Sequence, residues 1–153
     1  MVKNILLIDT NKFTNVFFQP KNKAHRFYIK FLFKTYDIKH NIITLLEISR
    51  NYRLKEENRN KIFSLMNDKS IEILTPDLSD WRNSAKLIDE YKRANFQGTK
   101  DALRKMQMDC LIASIALRNK AAILTEDKDF NKLKKLNSGK KLKILSYGEY
   151  KYL

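Results

Sequence analysis

Short apolar runs alternate along the chain with longer stretches in which apolar residues recur every three or four positions. The runs indicate buried strands, and the recurring pattern indicates helices that pack against them. The predicted strands are residues 3–8, 37–42, 71–74, 121–124 and 142–145; the predicted helices are residues 11–18, 22–35, 44–54, 56–67, 106–119 and 128–136, with one more that starts within residues 77–80 and ends near residue 95. Strands that alternate with helices predict an α/β sandwich around a central, mostly parallel sheet flanked by helices.

Length and composition narrow the class of protein. A chain of 153 residues is expected to form a single domain over residues 1–153. Its 43% hydrophobic and 11% aromatic content excludes a disordered chain. No apolar run approaches the length of a membrane span or of a signal peptide's apolar segment, so we expect a soluble, cytoplasmic protein with no membrane partner.

The chain is strongly basic. Lysine and arginine total 31 against 17 acidic residues, which gives a formal net charge of +14. This excess favours a polyanionic partner such as nucleic acid, although a lysine-rich composition that serves only solubility would produce the same number. The densest basic segment spans residues 128–143 and begins directly after Asp127.

Four acidic residues stand at predicted element boundaries. Asp9 and Asp127 follow apolar strand runs, whereas Glu47 and Asp109 lie at or near predicted helix starts. Because parallel strands bind ligands beyond their carboxyl ends, acids that follow two such strands can be neighbours in space. Carboxylates gathered in one pocket repel each other unless a cation or a proton separates them. A divalent metal ion that acts on phosphate is the simplest explanation.

Each acid also has a purely local explanation. Asp9 and Asp127 could cap the helices that follow them, and Thr44 with Glu47 fits a capping box. Asp109 could be a first-turn acid that complements the helix dipole. The joint pattern favours a site, because the helix after Asp109 is nearly all apolar and is therefore expected to be buried.

Other chemistries fit the sequence less well. His25 and His40 have no metal-binding spacing and no cysteine partner, which argues against zinc. There is no glycine-rich phosphate loop, and no serine or cysteine nucleophile occurs in a recognisable motif. Metal-assisted hydrolysis is the chemistry that remains after these are set aside.

At these residues the chain resembles the PIN-domain family, most closely the VapC-type toxin ribonucleases of bacterial toxin–antitoxin pairs. The segments that carry the resemblance are LLIDTN, IITLLEIS and MDCLIASIALRNKAAILTEDKDF. They match the family's four acidic positions with Asp9, Glu47, Asp109 and Asp127. Asp129 is a less favoured candidate for the last position, and Thr125 is expected to line the same pocket.

The resemblance implies a PIN-like three-layer sandwich that acts as an Mg²⁺- or Mn²⁺-dependent endoribonuclease and leaves a 5′-phosphate. The four acids would be both catalytic residues and metal ligands. The expected substrate-binding residues are Thr10, Asn11, Thr125, Lys128, Lys132 and Lys105, the last in a basic loop over residues 100–105. Expected partners are RNA, a cognate antitoxin and a second copy of the chain in a homodimer. A non-catalytic nucleic-acid-binding PIN module, a PIN nuclease for RNA maturation and a protein-interaction domain remain alternatives.

Overall fold

The computed structural model of the chain describes residues 3–17, 23–51, 54–94 and 100–146. The elements in chain order are β1 (Asn4–Ile8), α1 (Thr10–Phe17), α2 (Lys23–Thr35), β2 (Tyr36–Asn41), α3 (Ile42–Ser49), α4 (Glu56–Asn67), β3 (Ile73–Leu74), α5 (Leu78–Arg93), α6 (Lys100–Arg118), β4 (Ala122–Leu124), α7 (Lys128–Lys135) and β5 (Lys143–Leu145). Some predicted helix boundaries lie wholly or partly outside the described residues. They are the ends at residues 18 and 95, the start at residue 22 and the last part of the helix predicted over residues 44–54.

The five strands form one sheet in the order β3-β2-β1-β4-β5, and all neighbouring strands are parallel. From β1 the chain adds β2 and β3 on one side, and it later adds β4 and β5 on the other. The strand order therefore reverses between β1 and β4. A crevice forms beyond the carboxyl ends of the strands at such a reversal, and it is the usual ligand position in open parallel sheets.

Helices cover both faces of the sheet, so the fold has three layers as predicted. Alternate residues of β1 point to opposite faces because the side-chain period of a strand is two. Leu7 packs with Ile112 and other residues of α5, α6 and α7 in one core cluster. Leu6 and Ile8 pack with α1, α2, α3 and α4 in the other. All three side chains are at most 3% exposed, and burying each contributes roughly 1.5–3 kcal/mol to folding.

Helix α6 begins six residues earlier than the sequence pattern indicated. The predicted loop at residues 100–105 is helical, and α6 runs from Lys100 to Arg118. This segment consists largely of good helix formers, but its polar composition hides the helical period. At the other end, Lys120 adopts φ 52° and the N–H of Ala121 donates to the Ala116 carbonyl at 2.8 Å, which ends the helix.

Helix α3 also begins earlier than predicted, and its cap differs from the expected one. Asn41 is the N-cap, and its side-chain oxygen accepts a hydrogen bond from the Thr44 N–H at 2.9 Å. Thr44 and Glu47 therefore do not form a capping box. Glu47 has no capping role and lies in the last turn of the helix.

The turn between α7 and β5 is held by close backbone packing. A Cβ atom on Gly139 would lie 1.9 Å from the Leu133 carbonyl oxygen, so only glycine fits there. Ser138 donates to Glu90 of α5 through its hydroxyl at 2.6 Å and its backbone N–H at 3.0 Å. These contacts fix the lysine-rich segment against the fold. Among the described residues, no helix is both long and apolar enough to cross a bilayer.

Candidate active site

An open cavity of about 380 Å³ lies where the strand order reverses, beyond the carboxyl ends of β1 and β4. Ile8 and Leu124 pair in register, and the N–H of Asp9 donates to the Leu124 carbonyl at 3.1 Å. The strand pairing therefore brings the residues that follow both strands to one place. The cavity is lined by Asp9, Thr10, Asn11, Glu47, Arg50, Lys105, Asp109 and Asp127.

Asp9 is buried at the end of β1 and has two hydrogen-bond donors. Its Oδ1 accepts from the Thr10 N–H at 2.8 Å, and its Oδ2 accepts from the Thr125 hydroxyl at 2.8 Å. The Thr125 oxygen in turn accepts from the Asp127 N–H at 2.9 Å. Burial nevertheless raises the pKa of Asp9 above its usual range. Thr125 thus ties Asp9 to the loop that carries Asp127.

Glu47 reaches the cavity from α3. The Thr10 hydroxyl donates a hydrogen bond to Glu47 Oε2 and so holds the carboxylate beside Asp9. Burial raises the pKa of Glu47, and the charge of Asp9 acts in the same direction. A carboxylate in this position favours a nearby cation or a bound proton.

Asp109 lies well inside α6, not at a helix start as predicted, so the helix dipole does not explain it. Its side chain is buried, with 6% of the residue exposed. Among the described residues, nothing forms a hydrogen bond with its Oδ2. Burial raises the pKa of Asp109 to about 8, and the charges of Asp127, Asp9 and Glu47 add to the increase. A buried carboxylate oxygen without a donor is costly unless a cation or a proton occupies the site.

Asp127 combines the capping role and the pocket position that the sequence left as alternatives. It is the N-cap of α7, where its Oδ1 accepts from the Asp129 N–H at 2.9 Å. Its Oδ2 accepts from Lys105 Nζ at 2.6 Å. Burial alone would raise the pKa of Asp127. The hydrogen bonds from Lys105 and the Asp129 N–H, together with the charges of Lys105 and Lys132, outweigh burial and hold the pKa below its usual range.

Two acidic groupings overlap at this site. Carboxylate oxygens of Asp109, Asp127 and Asp129 lie within 4.8 Å of one another, close enough for three ligands of one ion. The cavity wall instead contains Asp9 and Glu47 and omits Asp129. Asp129 already has Lys132 Nζ at 2.7 Å and Lys105 Nζ at 3.6 Å, so its charge is balanced at the rim. Among the described residues, Asp9, Glu47 and Asp109 of the cavity wall show no such ion pair, whereas Asp127 pairs with Lys105 at 2.6 Å.

The basic residues divide into two groups. Lys128 and Lys132 are exposed on α7 and are not part of the cavity wall. Lys105 lines the acidic pocket. The sequence placed it in a loop and did not indicate this position. Its spacing of four residues from Asp109 was the available signal, because such residues share one face of a helix. Arg50 was not predicted, although it follows Glu47 by three residues at the end of α3.

Lys12 is a second basic residue near the site that the sequence did not indicate. It is buried, with 7% of the residue exposed, and it forms an ion pair with Glu126. Glu126 lies between Thr125 and Asp127, so this ion pair fastens the loop after β4 to α1. The loop's geometry therefore depends on contacts from both sides of the cavity.

A parallel sheet with carboxylates collected at its strand-order reversal defines an α/β protein with a candidate ligand site at that edge. The family model for the PIN domain matches residues 6–136, and the chain belongs to this family.

Solved structures support the same fold at low sequence identity. VapBC2 from Rickettsia felis, solved bound to a DNA fragment from its promoter, aligns with a TM-score of 0.65 and 17% identity over 94% of this chain and 98% of that one. VapBC-1 from nontypeable Haemophilus influenzae aligns with a TM-score of 0.64 and 17% identity, with the same coverage of both chains. FitAcB from Neisseria gonorrhoeae aligns with a TM-score of 0.62 and 16% identity over 92% of this chain and 96% of that one. No curated protein sequence matched the chain.

Proposed function

We propose that this protein is a divalent-metal-dependent endoribonuclease and the toxin of a toxin–antitoxin pair. Membership of the PIN-domain family supports nuclease activity. The observation that carries the metal-dependent part is Asp109, whose buried Oδ2 has no hydrogen-bond donor among the described residues and whose pKa is raised to about 8. Such a group needs a cation to be ionised at neutral pH.

The donor set fits Mg²⁺ or Mn²⁺. Asp9, Glu47, Asp109 and Asp127 offer only carboxylate oxygens, which these hard cations prefer. When bound, the ion would supply Lewis acidity toward a phosphate and an activated water for hydrolysis. Asp9 and Asp109 are the proposed direct ligands, and Glu47 and Asp127 complete the site directly or through water.

The two threonines of the pocket orient carboxylates. The Thr10 hydroxyl donates to Glu47 and the Thr125 hydroxyl donates to Asp9. That both threonines also contact substrate stays a prediction. Acids held in this way lose little freedom when they bind an ion, which favours a preorganised site. Asn11 lines the cavity and remains a proposed substrate contact.

Exposed lysines on α7 are the proposed RNA-binding surface. Lys128 and Lys132 lie next to the pocket, and the net charge of +14 favours sequence-independent contacts with phosphates. We therefore expect RNA affinity to fall steeply between low and physiological salt. The triple variant Lys132→Glu, Lys134→Glu and Lys135→Glu should weaken binding to unrelated RNA sequences by similar factors in a filter-binding assay.

The toxin assignment draws on the fold likeness to the VapBC structures. It implies a cognate antitoxin that silences the enzyme, a homodimer as the assembled form, and activity in the cytoplasm. Expression of the protein alone should arrest growth of its host, and co-expression of a small adjacent gene should relieve the arrest. Normal growth during strong expression of active enzyme would refute the toxin assignment. A housekeeping nuclease for RNA maturation would then be the remaining function.

The central experiment compares Asp9→Asn with Asp89→Asn. The first removes a pocket carboxylate with almost no change in size, and the second removes the same charge from an exposed position on α5. Asp9→Asn should lose RNA cleavage in the presence of Mg²⁺ while it retains its fold and RNA binding, and Asp89→Asn should remain active. Full activity of purified Asp9→Asn would refute the assignment. RNA binding without cleavage by the unmodified protein would support the non-catalytic alternative.

A further inference from the structure

Lys105 contributes a positive charge to a pocket otherwise rich in carboxylates. It lies on α6, one turn before Asp109, and its Nζ is 2.6 Å from Asp127 Oδ2. The same Nζ is 3.6 Å from Asp129 Oδ2. Its charge also acts favourably on Asp9, Glu47 and Asp109. One ammonium group therefore partly neutralises the whole acidic cluster.

Each carboxylate oxygen of Asp127 already accepts one hydrogen bond. Its Oδ1 accepts from the Asp129 N–H, which is part of the cap of α7, and its Oδ2 accepts from Lys105. The backbone donor is fixed by the helix, whereas Lys105 has a flexible four-carbon stem and a side chain that is 57% exposed. An ion that takes Asp127 as a ligand would replace Lys105 more easily than it would open the helix cap.

We propose that Lys105 is a resident counter-cation, which a divalent ion displaces from Asp127 and which then turns toward RNA phosphate at the mouth of the pocket. This inference rests on the metal-dependent function proposed above. It makes Lys105 a positioning residue that lowers metal affinity in the absence of RNA. Since phosphate offers the released ammonium a new partner, RNA and metal should bind with positive coupling.

The test is titration of the RNA-free protein with Mn²⁺ by calorimetry. Lys105→Gln keeps a good helix former but removes the charge. It should bind Mn²⁺ more tightly, by up to roughly fivefold, which is the upper value expected from losing one partly exposed ion pair. Lys105→Arg retains the competing charge and should bind no more tightly than the unmodified protein.

A matched control separates local displacement from net charge. Lys128→Gln removes the same charge from the residue next to Asp127, and the described part of the chain shows no ion pair for Lys128. Its Mn²⁺ affinity should stay near that of the unmodified protein. Equal tightening in Lys105→Gln and Lys128→Gln, or no tightening in Lys105→Gln, would overturn the proposal. Absence of Mn²⁺ binding in every variant would overturn the metal-dependent function itself.

A second measurement needs no variant and therefore does not depend on folding of a mutant. Brief labelling with an amine-reactive reagent, followed by peptide mass spectrometry, reports how freely each lysine reacts. Labelling of Lys105 should increase when Mn²⁺ is added, because the ion releases the ammonium from Asp127. Labelling of Lys128 should change little. Constant or reduced labelling of Lys105 at saturating Mn²⁺ would contradict displacement.

Discussion

Replacing Asp109 with asparagine should change how the stability of the metal-free protein depends on pH. The unfolded carboxyl has a pKa of about 3.9, whereas burial in the folded protein raises it to about 8. Between these values the folded state holds a proton that the unfolded state has released. Stability therefore falls as pH rises from about 4 to about 8, and this contribution levels off at higher pH.

The size of the effect makes it measurable. A whole proton corresponds to a slope of about 1.4 kcal/mol per pH unit, so Asp109 alone could remove up to about 6 kcal/mol over this range. That is a large part of the roughly 5–15 kcal/mol that stabilises a typical domain. Asp9 and Glu47 also have raised pKa values and add slopes of the same sign. Asp109→Asn should therefore flatten the profile without abolishing it.

The assay is urea denaturation at several pH values from 5 to 8, with EDTA and with excess Mg²⁺. In EDTA the variant should be more stable than the unmodified protein at pH 8 and similar to it at pH 5. Mg²⁺ at about a hundred times its Kd should stabilise the unmodified protein by about 2.7 kcal/mol, and the variant by much less. Asp89→Asn is the control, since Asp89 is exposed on α5 and pairs only across the helix surface with Arg93 among the described residues. An unchanged pH slope in Asp109→Asn, or full stabilisation by Mg²⁺, would refute the reasoning.

Three further variants test contacts around the site. Thr125→Val removes the hydroxyl that donates to Asp9 and should weaken Mn²⁺ binding by about 1–3 kcal/mol in calorimetry. Thr125→Ser keeps a hydroxyl and should keep the Mn²⁺ affinity of the unmodified protein. Equal Mn²⁺ affinity of the two variants would count against a role for this hydrogen bond. Gly139→Ala forces a Cβ into backbone atoms and should lower unfolding free energy in urea by about 2 kcal/mol or more, so unaltered stability would show that the turn can relax. Arg118→Gln weakens the ion pair to fully buried Asp80 at 2.8 Å and should lower thermal stability by an amount equivalent to about 2 kcal/mol; an unchanged Tm would mean that the pair contributes nothing.

The strands and the position of the pocket follow from features that sequence patterns express directly. Apolar runs before Asp9 and Asp127 indicated two buried strands, and a parallel sheet brings the residues after such strands to one edge. The structure has both features, with β1 and β4 adjacent at the strand-order reversal. The local sequence pattern was therefore sufficient to predict that Asp9 and Asp127 lie at the same edge of the sheet.

Long-range and polar contacts were not accessible in the same way. The polar start of α6 hid its helical character, and Asp109 was consequently placed at a helix start. The ion pair between Lys105 and Asp127 depends on how α6 lies beside α7, which no local pattern reports. Glu47 lines the same cavity as the other three acids. The alternative capping box with Thr44 is not formed, because Asn41 caps α3 instead.

The pairing of β1 with β4 has a consequence for the newly made chain. Thr125 and Asp9, which share a hydrogen bond, are 116 residues apart in the sequence. A ribosome adding about 5–20 residues per second needs on the order of ten seconds to join the first half of the pocket to the second. For most of that interval the emerging polypeptide has Asp9, and later Glu47, but neither Asp109 nor Asp127. The proposed ribonuclease site is therefore incomplete until nearly all of the fold has been synthesised, and the message being translated would be protected during that time.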